Sequence, residues 1–127
     1  MLRNVVACCA IVLAFDAVAS SIAKGLGFAY SSFMLPEFAM YVIIGYVLQR
    51  RAGFGAPTMV PVLVAACVES TLGWWLSIEI GVGRRPMDFG LTVFSALTST
   101  LLFTALGALG MWAAYGFRRA SKNSDVA

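Results

Sequence analysis

The 127-residue chain contains no histidine, and only 12% of its residues are charged. A soluble domain carries about a quarter charged residues, so a chain this poor in charge cannot hide its apolar surface from water. Without histidine, and without any Cys-x-x-Cys pair, the usual ligand sets for zinc, haem or a Cys-His nucleophile are missing. The three cysteines, Cys8, Cys9 and Cys67, lie inside apolar stretches as small packing residues, and no disulfide framework follows from them. A net charge of +3 with scattered Lys and Arg, and no basic stripe alternating with aromatics, argues against a nucleic-acid partner. No cofactor is expected. Nor is an enzyme, since no nucleophile, metal site or pair of exposed carboxylates is apparent.

What the chain does have is apolar length. Hydrophobic residues make up 61% of it, in long runs separated by short polar clusters, and lipid is the solvent that suits such a pattern. The opening Met1 to Phe15 imitates a secretory signal. The apolar helix resumes after Asp16 as far as Ala23, however, which gives a spanning length and argues against cleavage. Four spans are expected at about 5–25, 33–49, 58–80 and 89–117, followed by a polar cytoplasmic tail over 118–127. Gly25-Leu26-Gly27 closes the first span, Arg50-Arg51 closes the second, and Asp88 caps the fourth.

The fold class predicted is all-α, a single up-down bundle of four transmembrane helices with both termini cytoplasmic. Orientation follows from the basic residues beside the spans. Arg3, Arg50, Arg51, Arg118, Arg119 and Lys122 then lie on one side, and Lys24, Arg84 and Arg85 on the other. Glu37, Glu79 and Asp88 fall on the second side, where they can pair with its three cations. The short, loop-poor design suits a bacterial inner (plasma) membrane. Four short helices enclose little interior, so the lipid bilayer is joined as a partner by a second copy or a larger membrane protein.

Asp16 and Glu69 are the most informative residues, because a carboxyl group in hydrocarbon is paired, protonated or facing water. Each lies near mid-span on helices running in the same direction, so their depths match and they are ion- or proton-binding candidates. Ser20, Ser70 and Thr71 are supporting polar candidates. Lys24, eight residues beyond Asp16 and so about 12 Å along a helix, together with Arg84 and Arg85, reads as an outer-rim charge. The first functional reading is a non-enzymatic structural or accessory bundle in which these acids fix helix register. The alternative is a proton- or cation-coupled small-solute transporter or channel that uses Asp16 and Glu69.

Overall fold

The computed structural model describes residues 1–53, 55–83 and 88–124. Five α-helices account for nearly all of it. Helix α1 (Leu2–Leu26) stops at Gly27, whose left-handed φ of 70° lets its N–H and that of Phe28 return to the Ala23 carbonyl. A short 3-10 turn, Tyr30–Phe33, leads into α2 (Met34–Ala52). Pro36 is tolerated in the first turn of α2, where amides have no intrahelical partner. Helix α3 (Ala56–Val68) continues through a π-helical turn, Glu69–Gly73, into α4 (Trp74–Ile80), and the three together make one span-length unit. Helix α5 (Phe89–Ser124) follows; the backbone N–H of Gly90 donates to Asp88 Oδ1 at its start.

Four stretches, Leu2–Leu26, Tyr30–Ala52, Pro57–Ile80 and Phe89–Arg119, are long and apolar enough to cross a membrane. Helix α5 runs past the expected end at Phe117. Residues 118–124 contain neither Gly nor Pro to break it, and Arg118 donates from its guanidinium to the Arg50 carbonyl at 3.2 Å, which ties α5 to the end of α2. The polar tail expected from 118 therefore begins as helix.

Helices α2 and α5 run in the same direction and pack backbone to backbone. Phe38 and Tyr41 meet Phe103, Gly45 meets the Gly107 carbonyl, and Gly110 meets the Val42 carbonyl. A side chain at Gly45 or Gly110 would overlap those carbonyls, so the approach depends on their having none. Helix α1 likewise runs in the same direction as the third span, with Asp16 beside Gly73 and the Lys24 ammonium beside Gly81. The core is apolar and lies in one half of the molecule. Cys8, Val12, Tyr41, Ile44, Leu48, Val62, Ala65, Ala66, Phe103 and Met111 form it.

A carboxyl-floored cavity as the candidate functional site

The other half of the molecule is hollow. An open cavity of about 830 Å³ is lined by Val82, Gly83 and Asp88, by the Tyr30 turn and by the first half of α5, and three buried carboxyl groups from three span-length helices border it. Asp16 comes from α1, Glu37 from the first turn of α2, and Glu69 from the π turn; their exposures are 1%, 6% and 5%. The Glu69 carboxyl adjoins that of Asp16 at Gly73 and neighbours that of Glu37. Tyr30 donates its hydroxyl to Asp16 Oδ1.

The local backbone explains why these groups meet. In the turn Glu69–Gly73 the hydrogen-bond period widens, a distortion that often accompanies functional sites within helices. Gly73 leaves the surface of that turn bare, and Asp16 occupies the gap. A Cβ on Gly73 would stand 3.2 Å from Asp16 Cγ and 3.5 Å from Glu69 Cδ. One turn below Glu37, Tyr41 stacks on Phe103 with ring centroids 4.7 Å apart and planes 4° from parallel. Phe38 meets the same Phe103 edge-on at 6.3 Å. Tyr41 and Phe103 belong to the closed core, and Phe38 and Phe103 also line the cavity, so these aromatics border both.

Asp16 and Glu69 are thus brought together, but the other sequence candidates divide. Ser70 lines the cavity, and its buried Oγ has no hydrogen-bond partner. Ser20 is fully buried with an unpartnered Oγ, yet it lies outside the cavity lining. Thr71 is exposed and turned away; its hydroxyl donates to the Cys67 carbonyl at 2.7 Å, so it does not support the acids. Lys24 is exposed at the α4 end, where the C-terminal helix dipole favours a cation. Arg84 and Arg85 lie outside the described residues.

Sequence reasoning missed Glu37 as part of the site. It was expected among the rim acids that answer the outer cations, whereas it is buried against Glu69. A signal for it existed. Asp16 stands eleven residues before Gly27 and Glu37 ten residues after it, so a hairpin folded at Gly27 places the two acids level. Tyr30 falls in sequence between the first two expected spans, and its reach down to Asp16 depends on how the turn folds back.

Among the described residues, no group of three or more Asp, Glu, His or Cys side chains has the arrangement to hold a metal ion. No described Lys or Arg lines the cavity either. The fold and site together define an all-helical protein with four span-length helices and an open cavity that ends on adjoining buried carboxyls. No protein-family model matches the chain, and no curated protein or solved structure matches it.

Proposed function

We propose that the chain is an integral membrane, proton-coupled transporter of a small solute, with Asp16, Glu37 and Glu69 as its exchange site. The reading rests on one observation: the open cavity ends on these three adjoining carboxyls, and behind them lies a closed apolar half. Two full negative charges about 4 Å apart repel by on the order of 4 kcal/mol even at an effective dielectric of about 20. Adjoining buried carboxyls avoid that repulsion when at least one of them carries a proton. The cluster therefore holds protons while empty and releases them when a positive charge takes their place.

The closed half favours a transporter over a channel. Val12, Tyr41, Val62 and Met111 are each no more than 1% exposed behind the carboxyls, so passage requires a second, inward-open arrangement. In the up-down orientation with both termini cytoplasmic, favoured by six basic residues against three, the present cavity opens outward.

The proposal is tested by carboxyl infrared difference spectroscopy on the protein in lipid nanodiscs, titrated across neutral pH. Bands that titrate reversibly and are lost in Asp16→Asn, Glu37→Gln and Glu69→Gln support it. Carboxyl bands that remain unchanged throughout sink it.

A second reading, an accessory bundle docked on a larger membrane protein, draws on α5. Phe89, Phe94, Leu97 and Leu101 present a broad exposed apolar face there. That reading predicts co-purification with one partner at fixed stoichiometry, and it assigns the carboxyls a structural role without titration.

A further inference from the structure

We infer, on the basis of the proton-coupled reading above, that the solute is a small protonated amine, recognised through its N–H groups by Glu69 and Ser70 and through its apolar body by the cavity wall. Charge gives the first restriction. Asp16, Glu37, Glu69 and Asp88 all line the cavity, and these acids suit a cation.

Lining chemistry gives the second restriction. Met34, Phe38, Trp74, Leu102 and Phe103 present apolar and aromatic surface beside the acids, and a cavity of about 830 Å³ lies in the size range of sites that enclose an organic molecule. A bare metal ion would leave most of that wall unused, and the acids lack metal-binding arrangement among the described residues. Aromatic faces next to carboxylates suit an organic cation, because the rings attract positive charge while contacting the carbon skeleton.

The third restriction distinguishes kinds of organic cation. Ser70 is 8% exposed and lines the cavity, and its Oγ meets no partner; Glu69 beside it is likewise buried and lines the cavity. Buried acceptors left unmet carry a desolvation cost that an incoming donor removes. Once the Ser70 and Glu69 side chains turn toward the cavity they line, an ammonium with N–H bonds can donate to both, whereas a quaternary ammonium has no N–H to give. Ser70 therefore adds to the preference for protonated amines over quaternary ones.

The exchange balances in protons and charge. The ammonium ion enters intact, one carboxyl of the cluster loses its proton to the water of the open mouth, and the resulting carboxylate pairs with the ammonium. One positive charge enters and one leaves. Apparent affinity consequently falls on the order of tenfold for each unit by which pH is lowered, so long as the amine stays protonated and one proton is exchanged.

Titration calorimetry on the intact protein in nanodiscs tests this with benzylammonium and benzyltrimethylammonium, which share a ring and a charge but differ in N–H bonds. The expected result is binding of benzylammonium at least about tenfold tighter, with close to one proton released per amine as read from buffers of different ionisation enthalpy. Ser70→Ala should reduce that preference several-fold while Glu69 still accepts from the ammonium, and Glu69→Gln should lower the proton release. Equal binding of both cations by the unaltered protein, or binding independent of pH, overturns the assignment without reference to any variant. Carboxyls that titrate in a protein binding neither cation also overturn it, and leave proton coupling standing; carboxyls that never titrate overturn both.

Discussion

The two halves of this molecule are built from the same four spans and solve opposite problems. In the half that holds the start of α1 and the end of α5, α2 and α5 touch through Gly45, Gly107 and Gly110, and Val12, Val62 and Met111 fill the space between α1, α3 and α5. In the other half the first turns of α5 stand away from the rest, and the gap is the cavity. The difference lies in residue size and polarity at the contacts. Small residues let backbones approach until dispersion contact is complete, which drives helix association in lipid. Carboxyls and hydroxyls on facing helices are accommodated only where a proton, a partner or water meets them. A closed half thus supports an open one at the boundary marked by Phe103.

Removing that boundary should give the largest effect. Phe103→Ala deletes the ring that stacks on Tyr41 and meets Phe38, with an expected stability loss of about 4 kcal/mol. It should also join the cavity to the closed half, and proteoliposomes carrying an internal pH dye should then leak protons without added solute. A tight membrane together with a near-normal melting profile would mean that the aromatic floor does not separate the halves. Gly110→Ala comes next. Its new methyl group would strike the Val42 carbonyl, so α2 and α5 must part, at an expected cost of about 2 kcal/mol. Thermal denaturation in detergent should show the loss, with the carboxyl titration retained because the change lies within the closed half.

Tyr30→Phe acts on the open half alone and is smaller. It removes the hydroxyl that reaches Asp16 Oδ1 and should cost about 1 kcal/mol. The carboxyl band that disappears in Asp16→Asn should move in Tyr30→Phe, while the melting of the closed half changes little. An unmoved band would mean that Tyr30 does not hold Asp16.

How far the sequence alone foretells this division depends on which force sets each feature. The four spans were legible because apolar length is a property of composition, and Asp16 and Glu69 because a mid-span acid in hydrocarbon demands a reason. Their meeting followed from matched depth on helices that run the same way. Glu37 was not legible by the same rule. Beside Pro36 in the first turn of a helix, an acid is already explained by the helix dipole, and its depth is fixed only by the fold-back of residues 27–33. The hollow itself was out of reach, since it depends on where α5 diverges from its neighbours, and no residue type encodes that divergence. The π turn was equally hidden, because Glu69, Ser70 and Gly73 read as ordinary helix.

The smallest expected effect sharpens the comparison most, because it concerns neighbours in sequence. Ser70 and Thr71 are adjacent hydroxyl residues in one π turn, and both were candidates to support the acids. Thr71 satisfies itself against the Cys67 carbonyl and faces outward, as Ser and Thr do when a helix offers the carbonyl four residues back. Thr71→Val should therefore change stability by no more than about 0.5 kcal/mol, and leave both the carboxyl titration and the preference between the two benzyl cations as they are. Ser70→Ala, one residue away, should reduce that preference several-fold. If instead Thr71→Val shifts the titration, the π turn presents the wrong hydroxyl to the cavity, and the division between a self-satisfied outer face and an unmet inner one would have to be redrawn.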